Sequence, residues 1–325
     1  MTGQPAPRPN LVGSEPAPRL SVLVVNFNST PLLRRCLDAI ASSTVADRLE
    51  TIVVDNASHD FDADLLNSEY PWVTWLPQST NTTYTGGNNL AWERSTAELI
   101  LLLNPDTRVE PDALERAIAH MDSSRDLAGL GAYLIGPDGR LQRYYRRLPL
   151  LGDLPTLLFE PLFRHTARGR RFLMLDESFE EPTPVENPPG AFTLLRRSVV
   201  VDHLLDPVYF NFVSDLELCE RLSRAGRVVV FPDIRVHHQR AGGGVGTRDP
   251  AARLRLYHDL TWGLRQYFRS RGVATATTLN ALLVAYWAIR LARICIPRLD
   301  LTPTGFRHAV AALAGRPPNY SVPAR

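Results

Sequence analysis

Between Leu20 and Leu103 the chain alternates short, largely apolar runs with amphipathic stretches. Ser21–Val25, Thr51–Val54, Val73–Leu76 and Leu99–Leu103 are the runs, and polar residues follow each. Such runs predict strands buried on both faces, the kind found inside a parallel sheet. After the first, Ser29 or Thr30 is placed to cap a helix with Pro31 in its first turn. Leu32, Leu33, Cys36, Leu37 and Ile40 give that helix one apolar stripe. A second helix is predicted around Asp62–Ser68. A third, over Leu90–Thr96, follows a Gly86-Gly87-Asn88-Asn89 loop. This rhythm predicts an α/β fold: a Rossmann-like, mostly parallel central sheet flanked by helices, with right-handed crossovers.

Further on, Glu110–Met121 has helical spacing and Ala128–Ile135 reads as a strand. Gly136–Gly139 is a turn, from which Leu141–Tyr145 is expected to return as a hairpin. Residues 150–186 show weak periodicity and are expected to form a variable, mobile insertion. Ser214 is placed to cap a helix that buries Leu216, Cys219 and Leu222; Arg227–Phe231 is then a strand. Pro250–Arg271 forms a striped helix. Leu279–Pro297 is more apolar and long enough for a bilayer, but Arg290 and Arg293 interrupt it. An interfacial amphipathic helix is the expectation, with packing on the main domain or on a second copy as the alternative.

Composition narrows the classes. The 325 residues fit one large domain with an appendage, and a formal net charge of +2 argues against nucleic acid as a partner. Cys36, Cys219 and Cys295 lack metal-site spacing and read as buried thiols in a reducing compartment. No secretory signal is evident. Pro-rich residues 1–18 read as a disordered lead, and 315–325 as a frayed end.

The chemistry concentrates at strand ends. Asn26, Asp55 and Asp106 each close a predicted strand, and the strand ends of such a sheet share one rim. One carboxylate there can bind ribose hydroxyls or a base edge. The other can hold a divalent cation against a diphosphate. An ordinary turn aspartate is the competing reading of either. Arg143, in a basic and aromatic stretch, can meet a phosphate or a sugar ring, or simply face solvent. Asp215, in the first turn of a helix, suits either the helix dipole or proton transfer. No Gly-x-Gly-x-x-Gly follows a strand and no Ser–His–Asp arrangement is evident, which disfavours dehydrogenases and hydrolases. Residues 241–247 hold four glycines and read as a lid, with Arg240 or Arg248 in reach of a phosphate.

Ser21–Asn28, Val53–Ser58, Gly86–Asn89 and Leu101–Asp106 together resemble the successive motifs of family-two glycosyltransferases, most nearly the rhamnosyltransferase-like branch. The resemblance covers about Leu20–Gly272 except residues 150–186, and it implies a GT-A fold, a nucleotide-sugar donor and inversion. It implies that Asp55 contacts the nucleoside, that Val25, Asn26 and Asn28 line its pocket, and that Asn88 and Asn89 lie near the diphosphate or sugar. Asn104-Pro105-Asp106 stands where the family has Asp-x-Asp, so Asp106 is the implied ligand of Mg²⁺ or Mn²⁺, with Asn104 beside it. His238, with His237 as the alternative, is implied near the metal or diphosphate. Gly190 and Ala191 are implied on the acceptor side, with Arg143 as a further candidate there, and the 150–186 insertion is expected above it. Related sequences carry Glu-Asp-x-Asp where this chain has Ser214, Asp215 and Glu217; Asp215 is then the implied general base.

The implied activity is transfer of a sugar, rhamnose among the candidates, from a dTDP- or UDP-sugar to a saccharide acceptor, lipid-linked in bacterial relatives, for cell-envelope polysaccharide. The expected organisation is a lead over 1–18, a catalytic domain over 19–248 and a helical extension over 249–325. The expected location is cytoplasmic, peripheral at the inner membrane face, with a homodimer as one arrangement. The departures at Asn104 and Ser214 leave a second reading, a catalytically silent nucleotide-sugar or carbohydrate-binding protein.

Overall fold

The computed structural model describes residues 17–239, 250–295 and 303–320. Most of the 1–18 lead, the 240–249 segment expected to hold the lid and its arginines, and residues 321–325 lie outside the described residues. The elements run β1 (Leu20–Asn26), α1 (Thr30–Ala41), β2 (Leu49–Asp55), α2 (Ala63–Glu69), β3 (Val73–Pro77), α3 (Thr83–Arg94) and β4 (Leu99–Leu103). Then come β5 (Thr107–Val109), α4 (Ala113–Ser123), β6 (Leu127–Ile135), α5 (Leu154–Leu158), α6 (Glu160–Phe163), α7 (Ala167–Phe172), β7 (Thr183–Pro184) and β8 (Phe192–Arg196). The chain continues with α8 (Ser214–Ala225), β9 (Arg227–His238), α9 (Pro250–Phe268), α10 (Val273–Cys295) and α11 (Pro303–Leu313).

One sheet runs β3-β2-β1-β4-β8-β6-β9-β5, with β7 on β9. The first four strands are parallel, in register from Leu20↔Leu49 and Leu20↔Leu99. Strand β8 enters antiparallel between β4 and β6. Order reverses between β1 and β4, so a crevice opens beyond Asn26 and Leu103, where such sheets bind ligands.

Alternation along the strands feeds two cores. Val22, Val24, Leu101 and Leu103 pack on α1 and α4 through Leu33, Leu37, Leu114 and Ile118. Leu23, Ile52, Ile100 and Leu102 face the other layer, with Ala91 of α3 and Leu218 and Leu222 of α8. Strand β9 serves both. Ala132 pairs with Phe231 but Tyr133 with Arg235, so three residues bulge out. Val228 and Val230 lie on the α8 side, Ile234 and Val236 on the α1 and α4 side. Tyr145 supports β6 at the same point. Its hydroxyl donates to the Ala132 carbonyl and accepts from the Leu134 amide, at 2.9 and 3.0 Å.

Three local expectations are corrected. The Gly86–Asn89 stretch is not a loop before a helix but the interior of α3. A Cβ on Gly87 would lie 2.9 Å from both methyls of Val25, so the glycine serves close helix–strand packing. Leu141–Tyr145 returns with only a single bridge, Ile135 to Leu141. Ser214 is the first residue of α8, not its cap. Val213 precedes the helix in the left-handed region (φ 72°), and the Ser214 hydroxyl is buried without a hydrogen-bond partner among the described residues.

The C-terminal helices make a third core. Leu279, Leu283, Tyr286 and Trp287 of α10 are buried with Leu264 and Phe268 of α9 and Leu154 and Leu158 of α5. The Trp287 indole N–H donates to Thr261 at 3.0 Å. One side of this apolar helix, as far as Trp287, is thus packed inside the protein, while Val284 and Ile289 on it are exposed. Among the described residues no helix is long and apolar enough to cross a membrane. Residues 315–320 are ordered, against the expectation of fraying: the Tyr320 hydroxyl donates to Asp259 at 2.7 Å.

Candidate active site

The crevice holds two adjoining cavities. The smaller, about 230 Å³, is lined by Val25, Phe27, Asn56, Asn104, Pro105 and Asp106, among others. The larger, about 470 Å³, includes Tyr144, Arg146, Gly190, Ala191, Asp215 and His238 in its wall. Phe27, Asn81, Tyr84, Asn104 and Asn211 line both, so the two form one groove.

Behind the smaller cavity lies a polar buckle between β1 and β2. Asn26 and Asp55 are paired across the parallel ladder, and Asn26 Nδ2 donates to Asp55 Oδ1 at 2.8 Å. Asp55 also accepts from the Ser58 amide and hydroxyl, and Ser58 Oγ accepts from the Asn28 amide. Asn28 itself has a positive φ of 51° and accepts from the His59 amide. Asp55 is 2% exposed. Asn26, Asn28 and Asp55 shape the loops yet line neither cavity, whereas Val25 and Asn104 reach the groove.

Asn88 and Asn89 are turned elsewhere because α3 starts before them. Asn88 Nδ2 donates to the Tyr84 carbonyl. Asn89 clamps the backbone of Leu205 from both sides, donating to its carbonyl at 2.7 Å and accepting from its amide at 2.9 Å. Neither lines the groove, against the expectation of a place by the diphosphate or sugar. Arg143 is likewise displaced: its guanidinium donates to the carbonyls of Leu175 and Glu177. Its neighbours Tyr144 and Arg146 line the groove instead.

The turn after β4 is held from three sides. The Asn104 amide donates to the Ala191 carbonyl, and the Asn104 carbonyl accepts from the Thr107 amide and hydroxyl. The buried Cys36 thiol approaches the same carbonyl at 3.8 Å, and burial pushes it up to about 12, which leaves it inert. Cys219 is buried too; the side chain of Cys295 lies outside the described residues. The β5–β9 ladder then pairs Thr107 with His238, and the Gln239 amide donates to the Asp106 carbonyl. This places His238 Nε2 3.4 Å from Asp106 Oδ1, with side chains 10% and 13% exposed. Successive residues on a strand face opposite ways, so His237 points out to Glu110 at 3.3 Å.

Gln142, which the sequence reading passed over, fixes the ring. Its amide nitrogen donates to the His238 carbonyl at 2.9 Å, so its oxygen faces His238 Nδ1 at 2.7 Å. In the neutral ring Nδ1 therefore carries the hydrogen and Nε2 keeps its lone pair toward Asp106. One carboxylate and one imidazole nitrogen facing a shared space are a donor set that suits a divalent cation with remaining ligands from elsewhere. Among the described residues, no cluster of three or more His, Cys, Asp or Glu side chains is placed to hold a metal alone.

Asp215 stands at the other part of the groove. Its Oδ1 accepts from the Leu216 amide at 3.0 Å. A Cβ on Gly190 would lie 4.0 Å from both Asp215 Oδ2 and the Tyr84 hydroxyl, so the glycine leaves the approach to the carboxylate open. Burial pushes the Asp215 carboxyl above its ordinary range, while the hydrogen bond from Leu216 and the charge of Arg146 oppose the shift. A carboxylate raised toward the working range suits proton transfer.

The C-terminal part reaches this site directly, through Leu256 and Tyr320 in the wall of the larger cavity, and indirectly through Asn211. Asn211 lines both cavities, and its Oδ1 accepts from the Tyr84 amide at 2.9 Å. Gly263 lets α9 press close: a Cβ there would meet Val213 Cγ2 at 2.8 Å. The groove residues Phe27, Asn56, Asn81, Tyr84 and Asn211 are not singled out by sequence reasoning, although Phe27 and Asn56 sit within recognised motifs.

Comparison with known proteins gives consistent results. The family model described as glycosyl transferase family 2 matches residues 21–204. An N-acetylglucosaminyl-diphospho-decaprenol L-rhamnosyltransferase of Mycobacterium tuberculosis (strain H37Rv) is 27% identical over 269 residues, covering 75% of this chain and 82% of its own. An N-acetylglucosaminyltransferase of Rhizobium sp. (strain N33) is 29% identical over 127 residues, 38% of this chain and 28% of its own. Among solved structures, the mannosyltransferase PcManGT from Pyrobaculum calidifontis, in complex with GDP-Man and Mn²⁺, superposes with a TM-score of 0.53 at 15% identity, covering 92% of this chain and 86% of that one. S. aureus TarS 1–349 gives 0.51 at 16%, covering 91% and 88%. These likenesses make the fold GT-A, with a helical C-terminal part.

Proposed function

The chain belongs to glycosyl transferase family 2, and from that premise we propose an inverting, metal-dependent transferase that moves a sugar from a nucleoside-diphosphate donor to a hydroxyl of a lipid-linked saccharide. The observation that carries this reading is the groove itself, with Asp106 in the smaller cavity, Asp215 in the larger, and His238 reaching from the wall of the larger to Asp106. The smaller cavity takes the nucleotide: Phe27 offers a face to the base, and Val25 and Asn56 border it. The larger takes the transferred sugar and the acceptor.

Asp106 and His238 Nε2 would hold Mg²⁺ or Mn²⁺, and Gln142 orients the imidazole for it. When bound, the cation supplies positive charge that offsets the charge growing on the departing diphosphate. Asp215 accepts the proton of the acceptor hydroxyl as that oxygen attacks the anomeric carbon from the face opposite the diphosphate. A single displacement inverts the carbon. Tyr84, Gly190 and Ala191 border the acceptor approach. The name of the mycobacterial relative supports rhamnose as the sugar and an acceptor bearing a lipid diphosphate; dTDP or UDP as the carrier, and a place in cell-envelope polysaccharide synthesis, complete the proposal.

The test incubates the protein with dTDP-rhamnose and a panel of UDP-sugars and a lipid-diphosphate-linked N-acetylglucosamine, with Mn²⁺ or with EDTA, and reads product configuration by NMR. Metal-dependent transfer with an inverted anomer is expected. Transfer unaffected by EDTA removes the metal role, a retained anomer removes the single displacement, and no transfer from any donor removes the reading.

A further inference from the structure

A third cavity continues from the larger one. It measures about 260 Å³ and shares Arg146, Phe212 and Leu256 with the groove. Its floor and walls are otherwise apolar or aromatic except for Glu160, with Leu157, Leu158, Leu260 and Tyr286 contributed by α5, α9 and α10. The path thus changes character along its length. Near Asp215 it is polar, at Arg146 it is cationic, and beyond Arg146 it is greasy.

We infer that this channel seats the lipid end of the acceptor, with an isoprenoid chain between α5–α6 and α9–α10 and its diphosphate at Arg146. The inference rests on the reading of the groove as a glycosyltransferase centre for a lipid-linked saccharide. Such an acceptor has three parts in series: a sugar, a diphosphate and a hydrocarbon. The three environments follow in the same order. Arg146 is built for the middle part. Glu160 engages its Nη2 at 3.2 Å, while its Nε is buried with no hydrogen-bond partner among the described residues. An arriving diphosphate would meet the partly exposed guanidinium where it lines both cavities.

The outer wall fits a hydrocarbon delivered from a lipid surface. Leu150 and Leu151 before α5, and Leu162 and Phe163 at the end of α6, are exposed, Leu162 by 73%. Exposed Arg164, Arg168, Arg170 and Arg171 follow directly. Apolar side chains beside a basic cluster are the surface that lies on anionic lipid headgroups. The membrane-facing element is then the 150–171 segment, not α10.

The experiment titrates the full-length protein, with and without saturating UDP or dTDP, with farnesyl diphosphate and with inorganic diphosphate. Farnesyl diphosphate is expected to bind more tightly by about tenfold or more, because its chain buries apolar surface that diphosphate lacks. Leu157→Gln and Leu260→Gln, at partly exposed positions, should erase that preference, and Arg146→Gln should weaken both ligands. Equal affinities in the wild type, or a preference that survives both leucine substitutions, overturns the inference. Nucleotide binding is read in the same titrations, so a failure of the channel with UDP or dTDP still bound leaves the glycosyltransferase reading standing. Absence of nucleotide binding counts against that reading, while the farnesyl comparison still decides the channel.

Discussion

Asp259 on α9 accepts from both the amide and the side-chain nitrogen of Asn211, at 3.1 and 2.8 Å. Through this pair the C-terminal helices hold a residue that lines the groove. Tyr320 donates to the same oxygen, Oδ2, while Oδ1 is buried without a partner among the described residues. Burial accordingly pushes the Asp259 carboxyl up to about 6.

That shift sets a pH dependence. The folded value lies above the ordinary value near 4, so the folded chain keeps a proton that the unfolded chain releases. The contribution is complete below about pH 4 and is lost as pH rises through 6, a cost of about 3 kcal/mol above that point. Asp259→Asn cannot titrate and retains an acceptor for Asn211. It should be the more stable protein at pH 7.5, with the difference vanishing near pH 4. Denaturant melts at the two pH values check this, and a variant weaker at pH 7.5 would refute the sign.

Asp215→Asn separates chemistry from binding. Turnover should fall by about 10²–10⁴-fold with nucleotide affinity unchanged, because proton acceptance matters only in the transition state. The Asp215 carboxyl is also raised by burial, so the same variant should melt higher at neutral pH. Near-normal turnover in Asp215→Asn with collapse in Glu217→Gln would move the base to Glu217, although its carboxylate is engaged by Arg221 at 2.8 Å.

Asp106→Ala should fold, since its side chain faces the groove and not the core. Calorimetry with nucleoside diphosphate, with and without Mn²⁺, is expected to show a metal-dependent gain in the wild type and none in the variant. An unchanged gain would remove Asp106 from the metal site.

Gln142→Leu keeps the side-chain bulk and loses both bonds to His238. Freed of its partner, the ring can adopt the other tautomer, and Mn²⁺ affinity should drop by about 10–100-fold. Electron paramagnetic resonance of free Mn²⁺ reads this without any turnover assay.

Asn89→Ala tests the corrected role of that side chain. It leaves the Leu205 amide and carbonyl without their partner, so stability should fall by about 1–3 kcal/mol. Nucleotide affinity should be unaffected. A selective loss of donor binding would return Asn89 to the site.

Much of the fold was legible because buried parallel strands write themselves as continuous apolar runs, as Leu99–Leu103 does. The rim position of Asp106 followed from the same run. Gly86 and Gly87 misled, because local propensity favours a loop while packing against Val25 demands a glycine within a helix. Gln142 and Asn211 carried no local signal at all, since their partners lie 96 and 48 residues away. The apolar stripe of α10 was visible, but a stripe does not state whether lipid or protein will cover it.

The bulge in β9 acts as a phase shift. Even positions face one layer up to Val230 and the other from Ile234 on. Three residues looped out, an odd number, reverse the parity of everything downstream. Two adjacent histidines are thereby told apart by counting, not by chemistry: His238 arrives beside Asp106 and His237 beside Glu110. A slip of the downstream ladder by one residue would turn His237 toward Asp106 and His238 away from it.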